Sequence, residues 1–137
     1  MLKIKLDPGA FCPTRAHETD AGLDLYARED KTIPPYGSAA FDTGVHVKMP
    51  PYTAGLLVSK SGLNFKHDLL SDGLIDVDYT GSINVKLYNQ GPNPYTVRRG
   101  DKISQLVIID IHLPHLQVVD DLEDTDRGDN GFGSTGR

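Results

Sequence analysis

Ile83-Asn84-Val85-Lys86-Leu87-Tyr88-Asn89 carries an aliphatic side chain at every second position from Ile83 to Leu87. A period of two puts Ile83, Val85 and Leu87 on one face of a strand and leaves Asn84, Lys86 and Tyr88 on the other. The same rhythm recurs in Val45-His46-Val47-Lys48-Met49, which stops at Pro50-Pro51, and in Leu2 to Leu6, where apolar and basic residues alternate. Thr53 to Val58 and Ile103 to Ile111 are more continuously apolar, as strands covered on both faces are. Between these runs stand Pro34-Pro35-Tyr36-Gly37, Asp42-Thr43-Gly44, Gly91-Pro92-Asn93-Pro94 and Arg99-Gly100-Asp101, all turn-forming. Helix signals are confined to Ser61, a candidate cap for one or two turns through Asn64 and Lys66, and Gly62 weakens even that. The chain therefore reads as all-β, a sandwich or barrel of many short strands with at most one short helix.

With 137 residues the chain is long enough for one domain with its own core. Its 38% hydrophobic and 24% charged residues fit a globular protein rather than a disordered one. A net charge of −5 supplies no global basic field, so no nucleic-acid partner is expected, and a phosphorylated ligand needs local cations or a metal. Cys12 is the sole cysteine, which excludes an internal disulfide and a cysteine-based zinc cluster. Met1 to Leu6 lacks the apolar core of a signal peptide, and no apolar run approaches the roughly 20 residues of a membrane span. A cytoplasmic location is the expectation. From about Asp120 the pattern turns acidic and then glycine-rich, with Phe132 its only large apolar residue beyond Leu122. The expected organisation is a β core over residues 1–120 and a flexible arm over 121–137.

Several segments have the chemistry of a nucleotide site. In Gly73-Leu74-Ile75-Asp76-Val77-Asp78-Tyr79-Thr80-Gly81, two glycines bracket two aspartates that share one face if the segment is extended. Aspartate is unfavourable inside a strand, so the pair marks a turn or a site, and Asp76, after two large apolar residues, is the better site candidate. Ser59-Lys60-Ser61-Gly62-Leu63 joins a cation, hydroxyls and a helix start, a reasonable phosphate contact. Asp24, inside the apolar Leu23-Asp24-Leu25, requires a cationic partner. Gly128 to Thr135 nearly spells a P-loop, but Ser134 stands where lysine belongs and only Gly136 and Arg137 follow, so the anion-binding helix has no room. Its glycines still let backbone N–H groups reach phosphate oxygens, Arg127 adds charge, and Phe132 offers a flat face for stacking. The five histidines (His17, His46, His67, His112 and His115) form no ligand pattern and are expected at the surface. Arg-Gly-Asp occurs at Arg99 and at Arg127, and such tripeptides arise readily in turns.

In order along the chain, these segments resemble the five motifs of the trimeric dUTP diphosphatase (dUTPase) family. Ala21-Gly22-Leu23-Asp24-Leu25-Tyr26-Ala27 is similar to the first and Ser59 to Leu63 to the second. Gly73 to Gly81 is very close to the third, Arg99-Gly100-Asp101-Lys102-Ile103-Ser104-Gln105-Leu106 is similar to the fourth, and Arg127 to Gly136 to the fifth. The resemblance implies a distorted jelly-roll or β-barrel, a homotrimer with sites shared between subunits, and hydrolysis of dUTP to dUMP and diphosphate. It assigns Asp76 to activating the attacking water. Gly73, Leu74, Ile75, Tyr79, Asn84 and Phe132 would bind base and sugar. Lys60, Ser61, Gly62, Gln105, Arg127, Gly133, Ser134 and Thr135 would bind phosphates, with Asp24 supporting them from behind. Mg2+ would ride on the triphosphate and waters, without direct protein ligands. Two departures stand out: Lys60 where the second motif usually has arginine, and a compact segment from Phe65 to Asp72. Other readings are the dCTP deaminase relatives and a dUTP-sensing trimer without activity. The former would carry a catalytic glutamate, but Glu18, Glu29 and Glu123 are the only glutamates and none lies in a matching motif.

Overall fold

Burial follows the alternation. In the computed structural model, which describes residues 1–133 and 136, Val85 and Leu87 are buried while Asn84, Lys86 and Tyr88 face outward. The described residues form ten strands and one helix. They are β1 (Lys3–Leu6), β2 (Leu23–Tyr26), β3 (Lys31–Ile33), β4 (Ser38–Asp42), β5 (Val45–Lys48), β6 (Thr53–Val58), α1 (Ser61–His67), β7 (Leu69–Ile75), β8 (Asn84–Asn89), β9 (Tyr95–Val97) and β10 (Lys102–Asp110). A six-stranded sheet runs β2-β10-β6-β7-β8-β4, and two ribbons, β1-β5 and β3-β9, complete the structure. All these pairings are antiparallel. Strands distant in sequence are neighbours, β2 with β10 and β4 with β8, which gives an all-β, jelly-roll-like fold. The sheet and ribbons enclose one apolar cluster in which Leu25, Phe41, Ile83, Leu87, Val97, Ile103 and Leu106 are at most 1% exposed. Among the described residues no helix is long and apolar enough to cross a membrane.

The helix differs from its sequence reading in one respect. Ser61 is the first helical residue rather than the cap, and the cap position falls on Lys60, whose backbone is extended and whose side chain makes no capping bond. The extended path of β6 continues through Lys60 because its ammonium is drawn to Asp24. At the other end Asp68 turns left-handed and returns its N–H to Asn64 and Leu63, while Lys66 and His67 suit the negative end of the helix. This abrupt stop lets β7 start at Leu69, which accounts for the compactness of residues 65–72.

One buried polar side chain fixes the turn after β8. Asn89, 1% exposed, donates through Nδ2 to the Ile33 carbonyl at 3.3 Å and the Asn93 carbonyl at 2.7 Å. Its Oδ1 accepts from the Gly91 N–H at 3.0 Å. At the far end of the fold β10 stops at Asp110, and the Ile111 N–H bonds the Tyr52 carbonyl at 3.0 Å. Past it the described residues form no helix or strand, and Leu113, Leu116, Val118 and Leu122 are 66–99% exposed.

Asn89→Leu keeps the volume but strands three backbone groups. Each costs about 1–3 kcal/mol when buried unpaired, so a total loss of at least about 3 kcal/mol is expected in urea unfolding. A loss below about 1 kcal/mol would show that these groups reach water instead.

Candidate functional site

The third motif sits where a hairpin comes apart. β7 pairs with β8 only at its beginning, through Leu69↔Asn89, Leu70↔Tyr88 and Ser71↔Leu87. From Asp72 onward it stays with β6, placing Gly73 opposite Leu57, Leu74 opposite Leu56 and Ile75 opposite Gly55. Meanwhile Asn84, Val85 and Lys86 of β8 follow β4, opposite Asp42, Phe41 and Ala40. A strand has two hydrogen-bonding edges, so the edges that Gly73 to Ile75 and Asn84 to Lys86 turn toward each other are left without a strand between them. A cavity of about 300 Å³ fills that gap, lined by Leu57, Gly73, Leu74, Ile75, Asp76, Tyr79, Asn84 and Lys86 among others. A Cβ on Gly73 would lie 3.0 Å from Leu57 Cδ1, so glycine lets the strand lie flat on its neighbour here.

Asp76 opens a turn rather than continuing the strand: the Tyr79 N–H bonds the Asp76 carbonyl at 3.0 Å. The two aspartates therefore do not share a pleated face, and Asp76 stands exposed at the cavity rim. The Tyr79 hydroxyl donates to the Ser82 carbonyl at 2.7 Å, which lays the ring over Gly81 so closely that a Cβ there would be 2.6 Å from the hydroxyl oxygen. The end of this loop is tied to the β4–β5 turn. Thr43 Oγ1 donates to the Ile83 carbonyl at 2.7 Å, the Gly44 N–H reaches Ser82 Oγ at 3.0 Å, and Ser82 donates to Asp42. The Ser82 hydroxyl in turn holds the Asp42 carboxyl below its ordinary pKa.

A second cluster forms across β2, β10 and β6. Register sets Gln105 between Asp24 on one side and Val58 on the other. Just past β6, the Lys60 ammonium donates to Asp24 Oδ1, while Lys102 Nζ lies 3.2 Å from Oδ2. Asp24 is only 5% exposed, so it meets the demand for a cation twice over. The hydrogen bond that Lys102 donates to Asp24 raises the lysine's pKa, and the carboxylate's charge adds to it. Gln105 Nε2 donates to the Ser59 carbonyl at 3.1 Å and lies against Gly22, where a Cβ would approach Gln105 Oε1 to 2.5 Å. Ser61 and Gly62 stand exposed at the start of α1. Lys102 had no role in the sequence reading. Its signal was its place in the fourth motif, three residues before Gln105.

The structure thus brings Asp24, Lys60 and Gln105 together, and separately Gly73, Leu74, Ile75, Asp76, Tyr79 and Asn84. Within one chain Asp76 and Lys60 stay apart, although Gly73, opposite Leu57, lies one register step from Gln105, opposite Val58. Ile75 pairs with Gly55, and Lys60 lies five residues further along the same line of chain, or about 16 Å at about 3.3 Å per residue. In the arm, Arg127 Nε donates to the Asn130 carbonyl at 2.6 Å and Phe132 is fully exposed, away from tertiary cover. Gly133 has a positive φ of 92°, while Ser134 and Thr135 lie outside the described residues. The Arg-Gly-Asp at Arg99 is a structural turn, its guanidinium donating to the carbonyls of Gly9 and Arg28 at 3.0 Å each. Among the described residues no three His, Cys, Asp or Glu side chains are grouped to hold a metal ion.

Residues 10–136 match the dUTPase family. A deoxyuridine 5'-triphosphate nucleotidohydrolase of Gloeothece citriformis is 43% identical over 98% of this chain and 96% of its own length. The Monkeypox virus protein of that name is 44% identical over 97% of this chain and 88% of its own. Among solved structures, a mutant dUTPase of Staphylococcus bacteriophage 80alpha with dUpNHpp superposes with a TM-score of 0.94 at 31% identity, covering 100% of this chain and 99% of that one. A mutant dUTPase of phage phi11 of S. aureus, described for its structural Mg(II) ion, gives 0.83 at 30% identity over 90% and 99%. The fold and the relatives are those of nucleotide hydrolases. The chain belongs to the dUTPase family.

Lys60→Met removes a charge-assisted bond from a carboxylate that is 5% exposed. A loss of about 1–3 kcal/mol in urea unfolding is expected, whereas Lys60→Arg, which can still pair, should lose less than about 1 kcal/mol. Negligible losses in both variants would show that Lys102 alone satisfies Asp24.

Proposed function

We propose that this chain hydrolyses dUTP to dUMP and diphosphate, with each site assembled from more than one subunit of a homotrimer. The separation of the two half-sites along β6 carries this reading. A carboxylate that positions water must lie within about 3 Å of it, so Asp76 cannot serve a phosphate held by its own chain's Lys60 about 16 Å away. A second copy can present one half-site to the other. The exposed aliphatic residues from Leu113 to Leu122 support the same reading, because a second copy would give this segment and the arm that follows it a surface to cover.

The unpaired main-chain edge of Gly73, Leu74 and Ile75, with Asn84 across the gap, takes the hydrogen-bonding edge of uracil. Cytosine reverses part of that donor pattern and leaves buried backbone groups unpaired, which supports discrimination of about 10⁴-fold. The narrow gap has no space for the 5-methyl of thymine. Tyr79, held on Gly81 by its bond to Ser82, packs under the deoxyribose and excludes a 2′-hydroxyl. Phe132 closes over the base. Lys60, Ser61 and Gly62 hold phosphate oxygens, Gln105 lies by the α-phosphate, and Arg127, Gly133, Ser134 and Thr135 reach the γ-phosphate from the arm. Asp24 keeps Lys60 in place. Asp76 orients a water and accepts its proton as the water oxygen bonds the α-phosphorus, and the bond to the β-phosphate oxygen breaks to release diphosphate.

Asp24, behind the proposed phosphate contacts, has both oxygens engaged by lysines, so Mg2+ would be held by triphosphate oxygens and waters. Bound there, it neutralises charge and fixes the phosphate conformation.

Incubation with Mg2+ and each deoxynucleoside triphosphate, with diphosphate followed, tests the reading. Turnover confined to dUTP supports it, deamination of dCTP points to the deaminase relatives, and tight dUTP binding without turnover points to a sensor. Asp76→Asn is expected to lower kcat by about 10²–10⁴-fold while dUTP binding persists. Near-normal turnover in that variant would sink the mechanism. Truncation before Arg127 should give a folded trimer of very low activity, and an unfolded product would show that the arm is structural.

A further inference from the structure

His46, on β5, was expected at the surface, yet its side chain is only 20% exposed and sits between two acceptors. Nδ1 lies 2.7 Å from the Thr80 carbonyl oxygen and Nε2 lies 3.0 Å from Asp7 Oδ2. Neither a carbonyl nor a carboxylate oxygen has a proton to give, so both ring nitrogens must donate for both contacts to hold. Only the imidazolium can do that. A neutral ring keeps one bond and turns a lone pair toward the other oxygen. The β1-β5 ribbon builds this arrangement: Leu6 pairs with Val45, and the Asp7 N–H bonds the Gly44 carbonyl at 2.8 Å, bringing the Asp7 carboxylate to the ring.

Thr80 is the residue after Tyr79, in the middle of the loop that begins at Asp76. The anchors made by Thr43, Gly44 and Asp42 all fall at Ser82 and Ile83, the end of that loop. Val77 packs its side chain on the apolar cluster, and His46 reaches the middle of the loop's main chain with a hydrogen bond from another element.

We propose that His46, as the doubly protonated imidazolium, is a positioning residue that latches the Thr80 main chain and so holds Tyr79 and Asp76 in place at the pocket. This rests on reading the loop as part of the dUTP site. The charged groups facing the ring are Asp7 from the end of β1, Lys5 opposite it on β1, and Asp42 at the end of β4. The Asp7 hydrogen bond first, and the Thr80 carbonyl second, raise the His46 pKa against the opposing effects of enclosure and Lys5. A raised value means the latch is fully closed below the ordinary histidine pKa of about 6.5 and opens as pH climbs through the higher folded-state value. Binding of dUTP therefore weakens on the alkaline side of that value.

The test combines NMR of the full chain without nucleotide, following the His46 ring and the Gly81 amide that shares a peptide plane with the Thr80 carbonyl, with dUTP kinetics against pH. In the native protein both signals should titrate together above about pH 6.5, and KM should rise about fivefold over the same interval, the worth of one ordinary hydrogen bond. Asp7→Asn should move both midpoints to lower pH. His46→Leu should show the raised KM throughout and lose that component of the profile, which separates the latch from titration of the nucleotide. Coincident KM profiles in native protein and His46→Leu, or a Gly81 amide indifferent to His46 titration, would overturn the proposal. If His46→Leu does not fold, the Asp7→Asn midpoints decide. Absence of dUTP turnover at every pH would instead overturn the functional reading, and the NMR titration would still judge the latch.

Discussion

Main-chain N–H and C=O groups withdrawn from water have to find partners, and the parting of β7 from β8 leaves a short row of them facing a gap. The rest of the fold is arranged around keeping that gap open. β6 holds one side, β4 holds the other, and the β4–β5 turn stops the connecting loop from collapsing between them. A sheet that zipped β7 to β8 along their full length would be more regular and would have no pocket. The loss of a few ladder bonds is offset by the apolar cluster beneath, in which Ile83, Val85 and Leu87 are fully buried from the β8 side.

Charge is handled with similar economy. In a chain of net charge −5, two cations are drawn to one buried carboxylate. Lys60 and Lys102 converge on Asp24 from two directions, one charge per carboxylate oxygen, an arrangement that a single guanidinium fork also achieves. The lysine at position 60 is thus accompanied here by a second cation, which sequence motifs taken one at a time do not reveal.

Local pattern carried the all-β class, because a period of two over Ile83–Asn89 and Val45–Met49 has only one structural meaning when one face is buried. The membership of both half-sites was also legible, since each motif is contiguous. Their separation was not, because it depends on which strand lies beside which, and register between residues such as Gly55 and Ile75 is a long-range property. The helix start was displaced by one residue for a related reason: the pull of Asp24 on Lys60 acts across 36 positions. His46 is less exposed than a surface reading implies. Its partners are 39 and 34 residues away, one on each side, and a histidine amid alternating valines reads locally as solvent-facing.

The segment after β10 sets a condition on the molecule as a whole. Leu113, Leu116, Val118 and Leu122 project from a stretch without helix or strand, and the chain itself offers them no surface. Whatever free energy their burial contributes scales with the supply of a complementary surface, so it belongs to the solution rather than to the isolated molecule. In the proposed trimer, dilution would act on such a segment as a denaturant would, with no contact in the core disturbed. Cellular abundance would then be one of the variables that determine how much of that trimer is present.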